Sequence, residues 1–433
     1  MFKGKKAAFY TLGCKLNFSE TSTIGRQLSA CGFIKTDFEK PADLYVINTC
    51  SVTENANREC RRIIRKAKNN SPSAFIVVTG CFAQLKPKEL ADIKGVDMVL
   101  GANDKFNLPK LLTNLEKNTE VQVHGCEIDK LNYFSSYSLN DRTRSFLKIQ
   151  DGCNYPCTYC TIPLARGKSR CDSIENIIAS AKNIGSRGVK EIVITGVNIG
   201  DFKDKNRGFS SLINELDKID SIERYRISSI EPNLITEEIM ELVKNSKKFM
   251  PHFHIPLQSG SDIILGKMKR RYQTKLYRNK VDRISREIKD VCIGADVIVG
   301  FPGETDEEFN KTLNFIKDLP ISYLHVFSYS ERENTPATKF DNKVTKKIKA
   351  ERSKKLRILS KKLQNAFYKK HLHTKHSALF EQDNHNGMLY GFTDNYIKIK
   401  APFNQQICKT KQKVKLLEID TDGIMKAELT TTN

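Results

Sequence analysis

The 433-residue sequence lacks any run of the roughly 18 consecutive apolar residues that a membrane-spanning helix needs. It also lacks a recognisable export signal, because the apolar run within residues 1–14 is short and better predicts a first β-strand. We therefore expect a cytoplasmic protein that makes no use of a membrane. In such a reducing compartment its twelve cysteines favour metal binding or catalysis over disulfide bonds.

Acidic residues are scarce relative to basic ones: 50 Asp and Glu stand against 72 Lys and Arg, for a formal net charge of +22. Such a charge attracts polyanions, so a nucleic acid is the first partner to consider; a basic protein with no nucleic-acid role is the alternative. Apolar residues make up 39% of the chain, enough for folded cores, and the length predicts two or three domains.

Residues 5–125 alternate short β-type runs with helical stretches. The predicted strands cover residues 7–12, 43–48, 75–79 and 98–100, and the predicted helices cover residues 20–30 and 56–68. This alternation predicts a parallel α/β sheet, which we assign to an N-terminal domain of residues 1–125. The segment 126–143 is polar and rich in Ser, Asn and Tyr, which predicts a linker.

A second series of strands and helices follows the linker. Its strands are expected at residues 146–150, 192–195, 225–230, 253–257, 294–299 and 323–328. Six parallel strands with helices between them fit a partial barrel or an open sheet, and the periodicity does not separate the two. We assign residues 144–340 to this central domain.

The C-terminal part changes character twice. Residues 341–375 contain 13 Lys and Arg but two acids, and Leu356, Leu359, Leu363 and Phe367 recur at helical spacing. This predicts a helix with an apolar stripe on the protein and a basic outer face, which either binds nucleic acid or is simply solvated. Residues 376–433 hold short alternating strands, such as 396–400 and 414–417, separated by turns at 386–387 and 422–423. They predict a small β-barrel.

Three cysteines form a compact motif after the first strand of the central domain: Cys153, Cys157 and Cys160, in the sequence Cys-Asn-Tyr-Pro-Cys-Thr-Tyr-Cys. Thiolates are soft ligands that suit iron–sulfur clusters or zinc. A structural zinc site needs four ligands, and no obvious fourth lies nearby; a zinc knuckle with a distant ligand is the alternative. Three ligands on a four-iron cluster leave one iron open, and that iron can chelate the amino and carboxylate groups of S-adenosylmethionine.

A second set of cysteines follows three predicted strands of the N-terminal domain. Cys14, Cys50 and Cys81 are separated by 36 and 31 residues, each about one strand–helix–strand unit. In a parallel sheet all three then lie at the carboxyl edge, where ligands usually bind. They predict a second cluster site, with cysteines packed in a core as the alternative.

With these motifs the sequence resembles the radical S-adenosylmethionine methylthiotransferases over almost its whole length. In the first domain the resemblance rests on Thr-Leu-Gly-Cys-Lys-Leu-Asn at 11–17, Asn-Thr-Cys-Ser-Val-Thr at 48–53 and Thr-Gly-Cys at 79–81. In the second it rests on residues 149–160, 162–163, 165–167, 170, 254–261, 296–304, 327–330 and 335–337. It implies an N-terminal α/β domain with an auxiliary 4Fe–4S cluster, a partial (β/α)6 barrel and a TRAM-like RNA-binding β-barrel.

Within that family the sequence is most similar to the branch that acts on N6-threonylcarbamoyladenosine in tRNA. Lys15, the Ile-Gln-Asp-Gly segment at 149–152 and the segment 162–167 carry this similarity. Other branches act on isopentenyladenosine in tRNA or on an aspartate of a ribosomal protein, and both remain alternatives. A zinc-dependent RNA-binding module is the alternative from a different class.

The resemblance implies that an adenine C2–H is replaced by a methylthio group. One S-adenosylmethionine would methylate a sulfur species on the Cys14, Cys50 and Cys81 cluster. A second would be cleaved at the Cys153, Cys157 and Cys160 cluster to give a 5′-deoxyadenosyl radical. No side chain is expected to act as acid or base, because the cofactors carry the chemistry. The implied partners are the tRNA anticodon loop and a reduced electron donor such as flavodoxin or ferredoxin; no DNA is expected.

Several further residues are candidates for holding the cofactor and the RNA. Gly196 and Asn198 follow a strand, and Glu231, Gln258 and Asp296 are expected to end strands on the cofactor edge, with turn or helix-cap roles as the alternative. The candidates for contact with the tRNA backbone are basic residues that equally fit a solvent-facing position: Arg58, Arg61, Arg62, Arg166, Lys168 and Arg170.

Overall fold

The computed structural model describes residues 2–51, 53–117, 120–125 and 127–430. They form an α/β unit, a central barrel-like unit and a small closed barrel, and no described helix is both long and apolar enough to cross a bilayer. The N-terminal unit contains β1 (Lys6–Thr11), α1 (Lys15–Ala30), β2 (Ile34–Thr36), β3 (Leu44–Thr49), α2 (Glu54–Asn70), β4 (Phe75–Gly80), α3 (Cys81–Leu85), α4 (Pro87–Ala91), β5 (Met98–Leu100), α5 (Leu108–Leu111) and β6 (Gln122–His124).

The N-terminal sheet has the strand order β2-β1-β3-β4-β5-β6, and every neighbouring pair is parallel. Its central strands β3 and β4 are buried at every position, because helices cover both faces of the sheet. Ile63 and Ile64 of α2 pack on one face, while Ile24 and Leu28 of α1 pack on the other. The four strands predicted here lie within one residue of their expected bounds, and the short edge strands β2 and β6 were not predicted.

The central unit continues the alternation of strands and helices. It contains β7 (Ser136–Tyr137), β8 (Arg144–Lys148), β9 (Gln150–Asp151), α6 (Ile162–Arg166), β10 (Arg170–Cys171), α7 (Ile174–Ser186), β11 (Glu191–Thr195), β12 (Lys203–Asp204), β13 (Arg207–Gly208), α8 (Phe209–Asp217), β14 (Arg224–Ile227), α9 (Glu237–Asn245), β15 (His252–His254), α10 (Asp262–Lys267), α11 (Thr274–Glu287), β16 (Cys292–Val299), α12 (Asp306–Lys317) and β17 (Tyr323–Ser328).

Six strands of this unit run parallel in the order β8-β11-β14-β15-β16-β17. Parallel bridges from Tyr225 to Phe249 and from Ser229 to His254 join β14 to the β15 side. Within the described chain the sheet does not close, because β7 pairs antiparallel with β8 at one edge and β17 pairs with β16 alone at the other. The structure therefore decides for a partial barrel and confirms the predicted α/β class.

The segment predicted to be a linker, residues 126–143, is packed against both units over residues 127–143, the part that the structure describes. Besides the pairing of β7 with β8, Ser136 Oγ lies 3.0 Å from Ser19 Oγ of α1. Arg26 of the same helix donates to the carbonyl oxygen of Tyr137 at 2.8 Å. Because its polar groups find hydrogen-bond partners in both units, the polarity of this segment reflects an interface and not a free tether.

A long helix, α13 (Lys346–Lys370), leads from the central unit to the C-terminal barrel. The predicted apolar stripe does face the protein. Leu356 is buried in the core of the central unit, Leu359 and Leu363 pack against that core, and Phe367 packs against the core of the C-terminal barrel. One stripe thus serves two cores, which fixes the end of the central unit to the start of the next.

The C-terminal unit is a closed barrel with strand order β18-β19-β20-β22-β21. Its strands are β18 (Lys375–His385), β19 (Met388–Thr393), β20 (Lys398–Pro402), β21 (Lys411–Ile419) and β22 (Met425–Leu429). The strand predicted at 396–400 begins two residues later, because Tyr396 adopts a φ of +68° in the preceding turn. Arg224 and Arg226 of β14 attach the barrel by donating to the carbonyl oxygens of Ser377 and Thr393, at 2.6 Å each.

Candidate functional site

Cys14, Cys50 and Cys81 follow three neighbouring strands, β1, β3 and β4, at the carboxyl edge of the N-terminal sheet. The loops that carry them are in contact, since a Cβ built on Gly13 would lie 2.8 Å from Cys50 Sγ. Gly13 has a φ of +97°, so both its conformation and this close approach require glycine. Cys81 also acts electrostatically on Cys14. The structure thus brings together the three cysteines that the strand spacing predicted to meet.

The second triad lies in the loop between β9 and α6, and hydrogen bonds donated by backbone N–H groups shape it. Cys153 N donates to Gly167 O at 3.0 Å, Tyr155 N donates to Cys153 Sγ at 3.4 Å, and Cys160 N donates to Cys157 O at 3.2 Å. The three thiols are close enough to act electrostatically on one another. The loop therefore presents three sulfur atoms from one short segment.

The protonation state of these thiols depends on their burial. Burial raises the pKa of Cys153 to about 11 and that of Cys160 to about 12. Burial also raises the pKa of Cys157, although the guanidinium of Arg270, 3.1 Å from its Sγ, favours the thiolate. Because cluster ligands must be thiolates, binding a cluster here would release protons. Each triad is a soft donor set that fits a four-iron cluster with one iron free of protein ligands.

Arg270 joins the Cys157 loop to Glu231. Its second guanidinium nitrogen forms an ion pair with the Glu231 carboxylate, and its charge lies 5.1 Å from the ring centre of Tyr272. Burial raises the pKa of Glu231, and the ion pair with Arg270 works against that rise. Sequence reasoning missed Arg270, because nothing in its local sequence separates it from the many other arginines.

A cavity of about 200 Å³ opens beside Cys160, and both Gln258 and Asp296 line it. Gln258 has a φ of +63°, a conformation that costs a non-glycine residue free energy and that clusters at functional sites. Its backbone nitrogen donates to the carbonyl oxygen of Asp296 at 2.8 Å, which holds the segment in place. This cavity is the candidate location for S-adenosylmethionine.

The prediction that Asp296 ends a strand is wrong, because it lies in the middle of β16. Its carboxylate is 2.8 Å from His254 Nε2 and 3.3 Å from His325 Nδ1. Burial opposes ionisation of Asp296, but the hydrogen bonds from the two histidines outweigh it and hold its pKa below the ordinary value. Asp296 is therefore an internal charge of the barrel that two imidazoles already engage.

Gly196 and Asn198 lie in the loop after β11, which Gln150 organises. Gln150 Oε1 accepts hydrogen bonds from Val197 N and Asn198 N at 2.9 Å each. A Cβ on Gly196 would lie 2.8 Å from the Ile199 side chain, so close packing within the loop explains this glycine without a cofactor. The Asn198 amide is 4% exposed; it makes no side-chain hydrogen bond of good geometry to the described chain, and the Tyr155 hydroxyl is the side-chain group that interacts with it.

Arg166 does not face solvent, so the prediction that it contacts tRNA is wrong. It is 3% exposed at the junction of the first two units. It donates to Glu20 Oε1 at 3.0 Å, to Asp151 Oδ1 at 2.9 Å and to Asn17 Oδ1 at 2.6 Å. Its charge also acts on Cys14. Arg166 follows Cys160 by six residues and thereby ties the two cysteine loops together.

The other basic residues proposed for RNA contact differ in exposure. Arg58, Arg62 and Lys168 are exposed, whereas Arg61 and Arg170 are half-buried. Arg61 forms an ion pair with Glu89, and Arg170 donates to the carbonyl oxygens of residues 166 and 168. Arg62 is also engaged, because it donates to the Glu59 carboxylate at 2.6 and 2.7 Å. Arg58, Arg62 and Lys168 stay candidates for RNA because they are exposed.

Comparisons with known proteins agree with this division of the chain. The model of the uncharacterized protein family UPF0004 matches residues 6–101, and that of the Radical SAM superfamily matches residues 147–316. The chain is 39% identical to the threonylcarbamoyladenosine tRNA methylthiotransferase MtaB of Bacillus subtilis, over 95% of this chain and 93% of that protein. It is also 39% identical to MtaB of Aquifex aeolicus, over 93% of this chain and 98% of that protein.

Less similar relatives are named for a different activity. The tRNA-2-methylthio-N(6)-dimethylallyladenosine synthase of Syntrophus aciditrophicus is 34% identical, over 89% of this chain and 84% of that protein. Among solved structures, the radical S-adenosylmethionine methyltransferase TsrM of Kitasatospora setae matches with a TM-score of 0.57 and 15% identity, over 77% of each chain. At that identity the structural match concerns the fold alone.

Proposed function

The chain belongs to the threonylcarbamoyladenosine tRNA methylthiotransferases, and on that premise we propose that its two cysteine triads hold the two clusters of the reaction. The enzyme adds a methylthio group to C2 of N6-threonylcarbamoyladenosine in tRNA, with S-adenosylmethionine as cofactor. Cys153, Cys157 and Cys160 hold the radical-generating cluster, and Cys14, Cys50 and Cys81 hold the auxiliary one. When bound, these groups supply radical formation and sulfur delivery.

One observation carries this assignment: the two cysteine loops meet at a buried junction. Arg166, six residues after Cys160, contacts Asn17, three residues after Cys14. An enzyme that joins radical formation to sulfur delivery needs both clusters at one substrate, and this contact supports such an arrangement. A zinc-dependent RNA-binding module would have no need for a second cysteine triad.

The chain's own residues bind and orient the reactants. We assign Asn198 and Gln258 to S-adenosylmethionine, because one is a buried amide with no hydrogen bond of good geometry to the protein and the other is a strained residue beside Cys160. Gly196 shapes the loop that presents Asn198. Glu231 orients Arg270, whose charge at Cys157 favours the ligating thiolate. Asp296 holds the buried imidazole of His254 and the exposed imidazole of His325.

The proposed macromolecular partners are the tRNA anticodon loop and a reduced electron donor such as flavodoxin or ferredoxin. The C-terminal barrel and the exposed cations of α13 supply a basic surface for the RNA backbone, and Arg58, Arg62 and Lys168 add to it. Recognition of an unpaired loop is the usual route to sequence-specific RNA contact. The cytoplasm is the proposed compartment, where tRNA and reduced thiols are both present.

The cluster assignment predicts iron contents that differ between variants. After anaerobic reconstitution the wild type should hold about eight irons per chain, since each triad binds a four-iron cluster. Replacing Cys14, Cys50 and Cys81 by Ala, or Cys153, Cys157 and Cys160 by Ala, should each leave about four irons. Iron and acid-labile sulfide analysis provides the measurement.

A matched control replaces Cys31, Cys171 and Cys408 by Ala, which removes three thiols outside both triads and should leave the iron content unchanged. About four irons in the wild type would refute the two-cluster assignment. The substrate is tested separately, by mass spectrometry of tRNA nucleosides from a strain that lacks the protein. An unchanged 2-methylthio-N6-threonylcarbamoyladenosine peak would refute the tRNA activity.

A further inference from the structure

A cavity of about 310 Å³ lies beside Cys14, where the three units of the chain meet. Phe18 lines it from α1, Phe146 from β8 and Tyr396 from the C-terminal barrel. Its volume is at the lower end of the range found for small-molecule sites. Because Cys14 is solvent-accessible, a molecule bound in this cavity lies next to the auxiliary triad.

The walls of this cavity carry four cations, Lys15, Arg142, Arg144 and Arg226, and no acidic residue lies among its lining residues. Two of the four are engaged by carboxylates behind the wall. Arg226 Nε lies 2.9 Å from Glu191, and Arg144 Nη2 lies 3.1 Å from Glu381. Because these carboxylates hold the two arginines in place, the arginines add positive potential to the cavity but offer few free hydrogen-bond donors.

Lys15 and Arg142 are not engaged in this way. Neither side chain makes an ion pair or a hydrogen bond to any residue that the structure describes, in contrast to Arg144 and Arg226. Both of those arginines and the Asp296 carboxylate act electrostatically on Lys15, so two cations and one carboxylate surround it. It is also the first residue of the 16-residue helix α1, which has no acidic residue in its first turn. The positive end of the helix dipole therefore adds to a field that favours an anion.

Aromatic side chains stand beside these cations. Phe18 and Phe146 contact edge to face with ring centres 5.6 Å apart, and the Arg142 guanidinium lies 4.6 Å from the centre of the Phe18 ring. Unpaired bases stack on aromatic rings and on guanidinium planes. The cavity thus combines stacking surfaces for a purine with two cations that lack an anionic partner.

We propose that Lys15 and Arg142 bind the threonyl carboxylate of the N6-threonylcarbamoyl group and so select this nucleoside. The inference rests on the proposed function and names the residues that set its specificity. The threonyl carboxylate is an anion, whereas the dimethylallyl group that the less similar relatives' name specifies is neutral. A cavity with two unpaired cations binds the threonyl carboxylate. Binding the dimethylallyl group there costs free energy, because it leaves both cations without an anionic partner.

The test uses the reconstituted holoenzyme and two RNA stem-loops. One carries N6-threonylcarbamoyladenosine, and the other carries the same nucleoside with its carboxylate converted to a carboxamide. The wild type should lose about ten- to hundred-fold in kcat/KM on the carboxamide, the usual loss for one hydrogen bond to a charged group. Lys15→Gln and Arg142→Gln should cause a similar loss on the carboxylate RNA, mainly through KM, and little further loss on the carboxamide RNA.

Two control variants remove one positive charge each from the exposed outer face of the central unit: Lys182→Gln and Arg187→Gln. They should leave kcat/KM on both RNAs unchanged. Iron content and the thermal midpoint establish that each variant is folded. Because Lys15 and Arg142 lie on different segments of the chain, each variant tests the proposal independently of the other. Equal losses on both RNAs would show contact with the RNA backbone and overturn the proposal.

The outcomes also separate this inference from the proposed function. If the wild type modifies the carboxylate and carboxamide RNAs equally well, recognition of the carboxylate is refuted while the activity stands. If the wild type modifies neither but modifies an RNA with a dimethylallyl group, the proposed substrate itself is wrong.

Discussion

Glu20 shows at the level of a single residue how the first two units are joined. It has no exposed surface, and it accepts from Lys105 at 2.7 Å and from Arg166 at 3.0 Å, with Lys148 at 3.5 Å. Burial alone would raise the pKa of Glu20, but the charges of Arg166, Lys105 and Lys148 outweigh it and lower the pKa to about 2. Asp151 is the second carboxylate of this cluster. The junction therefore depends on the ionised carboxylate.

This cluster predicts a pH dependence of stability. The folded pKa of Glu20 is below its ordinary value of 4.5, so its contribution is fully present above pH 4.5 and is lost as pH falls towards 2. The shift corresponds to about 3 kcal/mol. Glu20→Gln should lower the thermal midpoint at pH 7, because the buried cations Arg166 and Lys105 each lose a carboxylate partner.

The measurement is the thermal midpoint between pH 2 and pH 7. The gap between the wild type and Glu20→Gln should narrow as pH falls below 4.5, and Glu351→Gln, at an exposed position of α13, should track the wild type throughout. A gap that is the same at pH 3 and at pH 7 would contradict the account of the junction.

At the scale of one element, α13 shows how a highly charged helix is held. Its cations give it a polar sequence, yet Leu356 is fully buried against the central unit and Phe367 reaches the next core. The spacing of four apolar residues was enough to predict the face that packs. It did not predict that the stripe is shared by two units, because a periodic pattern specifies a face but not its partner.

The shared stripe predicts a contrast between two variants that are two residues apart on α13 and so lie on opposite faces of the helix. Leu356→Ala should lower the free energy of unfolding by about 2–5 kcal/mol, because it leaves a cavity in a packed core. Ile358→Ala, at a position that is 48% exposed, should change it by no more than about 0.5 kcal/mol. Denaturant unfolding followed by circular dichroism measures both, and equal effects would contradict the packing of the stripe.

At the scale of the whole molecule, the net charge of +22 lies partly on one exposed surface. Lys354, Lys361 and Lys362 are exposed on α13, between the central unit and the C-terminal barrel. Phosphate contacts release counterions, so the logarithm of the binding constant falls linearly with the logarithm of the salt concentration. If α13 follows the RNA backbone, its lysines contribute to that slope.

Replacing Lys354, Lys361 and Lys362 together by Gln should weaken tRNA binding and reduce the salt slope by up to about 2. The control replaces Lys182, Lys275 and Lys289 by Gln, which removes the same charge from exposed positions of the central unit. Affinity measured by fluorescence anisotropy across a salt series should show the reduced slope in the first variant alone. An identical salt slope in the two variants would mean that tRNA binding depends on the net charge of the protein and not on the position of the α13 lysines.

The sequence by itself determined which segments become strands and where the cluster ligands stand along them. Strand–helix alternation predicted the sheet edge shared by Cys14, Cys50 and Cys81, because parallel strands separated by one helix must end on the same side. The close spacing of Cys153, Cys157 and Cys160 needs no tertiary information, since a single loop holds all three. The strands and the cysteine spacing depend on residues that are near one another in sequence, so tertiary contacts do not change them.

Only the tertiary structure decided which side chains meet across units. Arg166 looked like a surface cation in the sequence and lies instead in a buried ionic cluster, and Asp296 is held by two histidines. Lys15 shares a cavity with arginines that lie more than a hundred residues away in the chain. The sequence specifies which residues are charged. The environment of each charge depends on contacts that are distant in sequence, and those contacts decide whether the charge joins two units, carries a function or faces solvent.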